Sequence, residues 1–404
     1  MTGNPRALRE LGQAARQVND AQLLKLVAVL DQQQERGAAD AVLDPVRARL
    51  GHLRPGRPLN LARLLFVPLD SVLVAPRDWR TGQWQVPRTA IMPMLEALRA
   101  AEPALLARTE AALTGRTTRD LSLIAQLGGE LWQAAEVAFK EPPADWSEAG
   151  IPRQSFEEIA QTSTTLWRHA AALWLLRQSG DEGPPESMVR SIFRIIAADG
   201  PDAVSLALLA VLPHASEPAS MIAIVAGIDR ALGPAGERAL DRYLAGVQPD
   251  FAAGNLASTA AVAARFASIL DDLDSSVSRD KPRRAQALQA LRLTAATACT
   301  ERLKAEVEAR LLAPLAAAFV APLVSDAEVA DLESTATALR GINESGRRLH
   351  ASAGAEKEMH TALAVLIREA PRLPETGPGF CRPDALRLLE ILAGTGAALR
   401  LAPG

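Results

Sequence analysis

Aromatic residues are scarce in this chain. One Tyr stands among 404 residues, and Phe, Trp and Tyr together make up 4%. Any core must therefore be built mainly from Leu, Ala, Val and Ile. Ala and Leu are strong helix formers, and the aromatics that favour strands are rare. This composition argues against a β-rich fold and gives an all-α protein as the expected class. Cysteine is scarcer still. Cys299 and Cys381 stand alone, which excludes a disulfide framework or a zinc site. Cys299, inside the run LRLTAATACTERL, reads as a small core residue. Neither sign of charge is in excess: the formal net charge is −3. No bulk positive field exists to attract nucleic acid or anionic lipid, so no nucleic-acid partner is expected.

Long uncharged runs are missing too. None reaches, unbroken, the roughly 20 residues that a membrane-spanning helix needs. The nearest case, residues 203–228, contains Glu217, Pro213 and Pro218, and reads as two helices joined by a turn. The opening MTGNPRALRE lacks the basic-then-apolar pattern of a signal peptide. The expected location is the cytoplasm, and the Ala, Arg and Leu bias suggests a bacterial source. No glycine-rich phosphate loop follows a predicted strand, and neither a nucleophile elbow nor a Cys/His pairing occurs.

What the chain does have is apolar helical patterning. Hydrophobic residues make up 48%, enough for a large core and against wholesale disorder. Proline, glycine and polar clusters mark it off into an N-terminal helical arm over residues 1–54, a helical segment over 55–150, and a helical body over 151–404. Residues 154–178 give the clearest long helix, with Phe156, Ile159, Leu166, Leu173 and Trp174 at helical spacing. From residue 186 onward the predicted helices are short and come in α-hairpin rhythm. Several have Pro at the start and Gly at the end. No sequence signature repeats at a fixed period, so a solenoid-like stack and a globular bundle both stay open. A second long helix is predicted from Asp280 to about Leu312. Ser325 and Glu328 form a capping box for another.

Residues 58–98 stand apart. They hold Trp79, Trp84 and five prolines around the apolar run LLFVPLDSVLV. Asn60 can cap a short helix, and Pro68 ends or kinks it. Two expectations attach to this Pro/Trp-containing connecting segment. One is a core-filling connection held down by tryptophans, which composition favours because exposed Trp is uncommon. The other is a partner surface, because Trp and Arg carry interface energy. Its candidate contacts are Arg77, Trp79, Arg80 and Trp84.

One acidic cluster suggests chemistry. Asp271, Asp272 and Asp274 end an Ala-rich helix, and Arg283 and Arg284 follow. In residue types this resembles helical isoprenoid synthases, whose Asp-rich helices hold Mg²⁺ against a diphosphate. The resemblance implies the three aspartates as metal ligands and the two arginines as phosphate contacts. The spacing departs from that family's Asp-Asp-x-x-Asp pattern, and no second motif faces it. Glu356 and His360 form an i, i+4 pair of the kind common on exposed helices. The leading expectation is therefore a non-catalytic, cofactor-free interaction protein: a scaffold, adaptor or regulatory subunit that binds another protein. The rival is a Mg²⁺-dependent enzyme acting on a diphosphate.

Overall fold

The computed structural model of the protein describes residues 22, 23, 25–27 and 57–400, apart from 144–145, 180–182, 248–250, 252–255, 277–280 and 351–353. The helices expected over 5–54, and Asp280 as a cap, lie outside the described residues. The described chain is all-α, with seventeen α-helices and one pair of two-residue strands. It forms two compact units, Met1–Ala245 and Gly246–Gly404. No helix among the described residues is long and apolar enough to cross a membrane.

The first unit is built on its shortest helices. Asn60 accepts a hydrogen bond from the Arg63 amide at 2.9 Å and so starts α1, Leu61–Phe66. Pro68 stops it, and a 3₁₀ turn follows over Val67–Leu69. Leu61, Leu64, Leu65, Phe66, Val67 and Leu69 are all buried, so LLFVPL fills core as expected. A helix end in such a place leaves carbonyls without amide partners and away from water. Leu64 would normally be served by the amide of residue 68, which proline lacks. The indole of Trp132 donates to the Leu64 carbonyl instead, at 3.0 Å. The Trp167 indole serves Leu65 at 2.8 Å, and the Arg177 guanidinium joins the Asp70 amide on the Val67 carbonyl, at 2.6 Å. Each buried carbonyl left unserved would cost about 1–3 kcal/mol. The tryptophans that hold the segment down are thus Trp132 and Trp167, from distant parts of the chain.

These donors come from α4 (Leu121–Ala138), α5 (Phe156–Arg168) and α6 (Ala170–Arg177); α4 packs on α1 together with α2 (Ile91–Ala101) and α3 (Pro103–Leu113), and α5 and α6 pack on the 3₁₀ turn. Gly128 is needed for this. A Cβ there would meet the Trp132 ring at 2.6 Å, so the indole lies against its own helix one turn back. Trp167 also meets Phe66 edge-on and stacks on Phe139, with ring centroids 5.7 and 5.2 Å away. Such pairs add about 0.5–1.5 kcal/mol beyond burial.

After the 3₁₀ turn, β1 (Leu73–Val74) pairs in parallel with β2 (Val86–Pro87), Leu73 opposite Val86. This ties off residues 75–85 as a loop. The helix expected over 154–178 is two helices. It breaks at His169 (φ −101°, ψ 3°), whose imidazole is buried and bonded to Asp199 at 2.9 Å. Then follow α7 (Glu186–Ala197), α8 (Pro201–Val211), α9 (Pro218–Ala226) and α10 (Gly233–Gly246). Gly233 and Pro234 begin α10.

The second unit holds α11 (Leu256–Ser276), α12 (Pro282–Val307), α13 (Ala313–Val320), α14 (Asp326–Arg348), α15 (Gly354–Glu369), α16 (Arg382–Ala393) and α17 (Thr395–Leu399). Its largest packing is α11 on α14, with α12 on α14 and α15. Pairing between helices far apart in sequence makes this unit a bundle rather than a stack of consecutive hairpins. Pro314 does not end the helical run. A single π turn over Glu308–Leu312 precedes it and absorbs the missing amide hydrogen, a recognised way for a helix to carry such a defect. Ser325 and Glu328 form the expected capping box, with the Ser325 amide 2.8 Å from the Glu328 carboxylate. Cys299 is fully buried.

Candidate functional site

The loop over residues 75–85 is fixed by its own polar groups. The Trp79 indole donates to the Gln85 carbonyl at 3.2 Å. The Arg80 amide donates to the Gln85 side chain at 3.0 Å. The Arg80 guanidinium turns back onto the carbonyls of Arg77 and Trp79, at 2.8 and 2.7 Å. At the loop's far end Gly82 (φ +71°) turns the chain. Its amide donates to Glu158 of α5 at 2.6 Å, and its carbonyl accepts from Arg242 of α10 at 3.1 Å. Arg242 also donates to the Gln83 carbonyl.

Trp84 follows with φ +48°. Left-handed backbone in a bulky residue is a genuine outlier. It persists only where the surroundings impose it, and such strain clusters at functional sites. Here two guanidinium groups hold the ring. Arg242 lies 4.5 Å and Arg238 5.8 Å from its centroid, each within cation–π range. Burial pulls the Arg242 pKa down from its ordinary value, with the Glu158 charge opposing that effect.

Trp84 forms one wall of an open cleft of about 380 Å³. Glu158, Thr162 and Thr165 come from α5, Arg168 from its end, and Asp199 and Asp202 from the start of α8 and the turn before it. Every carboxylate in this lining already has a partner. Glu158 takes the Gly82 amide. Asp202 takes Arg238 at 2.9 Å. Asp199 takes Arg168 at 2.8 Å and His169 at 2.9 Å, and Arg168 spans to Glu136 at 2.7 Å. The Arg168 hydrogen bond holds the Asp199 carboxyl below its ordinary pKa. Arg168 is raised in turn by Glu136 and Asp199. Carboxylates held this way are poor proton acceptors. The lining offers fixed dipoles, threonine hydroxyls and an indole, which suits recognition more than proton transfer.

Of the four contacts expected from sequence, Trp84 alone lines the cleft. Trp79 is half-buried. Arg77 is 88% exposed and 3.6 Å from Asp78, and Arg80 is spent on the loop's own carbonyls. Sequence reading missed Glu158, Arg168, Asp199, Asp202, Arg238 and Arg242. The only local signal was the Asp199-Gly200 break between two helices.

The acidic cluster lies in the second unit. Asp271 and Asp274, at the end of α11, both bond Arg292 of α12. The Arg292 Nη2–Asp271 distance is 2.9 Å, and Nε lies 2.9 Å from Asp274. Arg348, the last residue of α14, adds a contact to Asp271 at 2.8 Å. Burial raises the Asp271 pKa, but the bonds from Arg348 and Arg292 outweigh it and bring it below the ordinary value. Carboxylates at a helix C-terminus oppose its dipole, and here two arginines from neighbouring helices compensate. Asp272 is half-buried, Arg283 exposed and Arg284 buried. No group of three or more His, Cys, Asp or Glu able to hold a metal occurs among the described residues. His360 is exposed, and the Glu356 side chain lies outside the described residues.

Comparison with protein-family models, with curated proteins and with solved structures finds no match.

Proposed function

We propose that this chain is a non-catalytic interaction protein, a scaffold, adaptor or regulatory subunit, and that the Trp84 cleft takes a polar segment of a partner protein. One observation carries the reading: a bulky aromatic in left-handed backbone, held by two guanidinium groups at the mouth of a cleft. Local strain kept in place at an open cleft is a cost with no evident return to the fold itself. Trp and Arg are also the side chains that dominate interface energy. The carboxylates that line the cleft are all engaged, which favours binding over acid–base chemistry. The working place we propose is a reducing cytoplasm, which suits two cysteines not joined in a disulfide.

The test is crosslinked capture with the full tagged chain from its native cell, run beside Trp84→Ala and Trp79→Ala. A stoichiometric partner lost with Trp84→Ala and kept with Trp79→Ala supports the reading. A partner retained by both variants moves the interface elsewhere. No stoichiometric partner for the wild type removes the interaction role.

A further inference from the structure

The loop over residues 75–85 is built as one piece. The Trp79 indole and the Arg80 amide both close onto Gln85. The Arg80 guanidinium closes onto the carbonyls of Arg77 and Trp79. At the base the Val86 amide donates to the Val72 carbonyl at 2.9 Å, and Leu73 and Val86 are buried. No residue from 75 to 85 is buried. The loop is thus stiff within itself and rooted in core at its base, with no apolar anchor at its tip.

Polar groups hold that tip. Gly82 sits between two opposite charges: its amide donates to Glu158 at 2.6 Å, and its carbonyl accepts from Arg242 at 3.1 Å. Arg242 also donates to the Gln83 carbonyl and lies 4.5 Å from the Trp84 centroid. The Glu158 charge acts on Arg242, but each side chain is bonded to the Gly82 peptide rather than to the other. Arg238, the second guanidinium at the ring, has Asp202 and Ser205 at 2.9 and 3.3 Å and keeps them without the loop. Two changes therefore favour release of the tip. Trp84 leaves left-handed backbone, where a bulky residue is strained. Glu158 and Arg242 are left to form a direct ion pair. An element with two such arrangements is the working part of a switch.

We propose that residues 75–85 are a hinged wall of the Trp84 cleft, latched at Gly82 by Glu158 and Arg242, which swings out to admit the partner segment. The proposal rests on the reading of this cleft as the docking place. A cleft of about 380 Å³ lies near the lower end of the roughly 300–1,000 Å³ that small molecules occupy, so a polypeptide segment requires it to widen. The hinges are residues 74–76 and 85–86, where the stiff loop meets the buried strand pair.

The test is hydrogen–deuterium exchange on the full chain without partner. In the wild type, residues 80–85 exchange by local opening: more slowly than an unstructured chain, and faster than α6 and α8. Arg242→Ala and Glu158→Ala each speed exchange at 80–85 by about tenfold, the effect of losing a hydrogen bond to a charged group. Both leave α6 and α8 unchanged and melt within a few degrees of wild type. A second readout reports on the cleft itself. Thr165, half-buried in the lining, is replaced by Cys, and its alkylation by iodoacetamide is followed by peptide mass. Thr165→Cys labels faster when combined with Arg242→Ala than alone. The proposal is overturned if wild-type 80–85 exchanges as slowly as α6 and α8, if neither variant speeds it, if α6 and α8 loosen along with it, or if Thr165→Cys labels equally in both backgrounds. Should one variant fail to fold, the other decides; failure of both makes the contacts structural and overturns the latch. Both readouts use the chain alone, so they are separate from the capture experiment. A Trp84-dependent partner captured by a chain whose loop is not latched removes the hinge and leaves the docking role.

Discussion

The Trp132 indole donates to the Leu64 carbonyl at 3.0 Å, across 68 residues of sequence, because Pro68 has no amide hydrogen to offer that carbonyl. Trp132→Phe keeps most of the buried ring and removes the donor. It should cost about 1–3 kcal/mol, the price of a buried carbonyl left unpaired, read as a lower urea midpoint at unchanged slope. In a Pro68→Ala background the same substitution should cost less, since residue 68 regains an amide. Equal losses in both backgrounds would separate the proline from the indole.

At Trp84 the order of two substitutions is informative. In extended or helical backbone Ala is more stable than Gly. At φ +48° the order reverses, because any Cβ is strained there. Trp84→Gly should be more stable than Trp84→Ala by about 1 kcal/mol in chemical denaturation. Ala more stable than Gly would mean that the left-handed conformation is not kept in solution.

The acid limb of stability should carry the Asp199 and Asp271 ion pairs. Both carboxyls lie below their ordinary value in the folded chain. Their contribution is therefore complete above the unfolded value of about 3.9, and is lost as pH falls from there through the folded pKa. Asp199→Asn and Asp271→Asn should each be less stable than wild type at pH 7. The gap should close as the pH falls toward 2. A gap that is independent of pH would assign the loss to packing.

Cys299 is fully buried, and burial pushes its thiol up to about 11. Iodoacetamide at pH 8 should leave it unmodified in the native protein and alkylate it in urea, as read by intact mass. Labelling under native conditions at the rate seen in urea would show that its part of the bundle opens readily.

At the end of α11, Arg292 and Arg348 already supply the positive charge that Asp271 and Asp274 attract. Magnesium with pyrophosphate should therefore give no magnesium-dependent rise in melting temperature. A rise that needs both would favour the rival diphosphate reading over the interaction reading.

How much of this could be read from the chain depended on distance along it. The all-α class followed from composition. The Asn60 cap, the Pro68 stop and the Ser325–Glu328 capping box followed from local chemistry, because each involves residues within a turn of one another. The break at His169 was missed because an imidazole fits an apolar helical pattern, and its partner Asp199 lies 30 residues on. The helix expected to end near Leu312 runs on through Pro314, because the π turn that carries the proline leaves no mark in the sequence pattern. The acidic cluster was matched to Arg283 and Arg284, next along the chain. Its partners in space, Arg292 and Arg348, sit 18 to 77 residues away on other helices. Trp84 stands out by residue type alone, whereas the arginines beside its ring come from α10, more than 150 residues along the chain.

The most direct measurement is hydrogen–deuterium exchange on the chain alone and in its captured complex. Slowed exchange on binding at residues 80–85, 156–168 and 199–206 is the expected result, since these segments line the Trp84 cleft. Protection confined to other segments, with these unchanged, would contradict the cleft as the place where the partner docks.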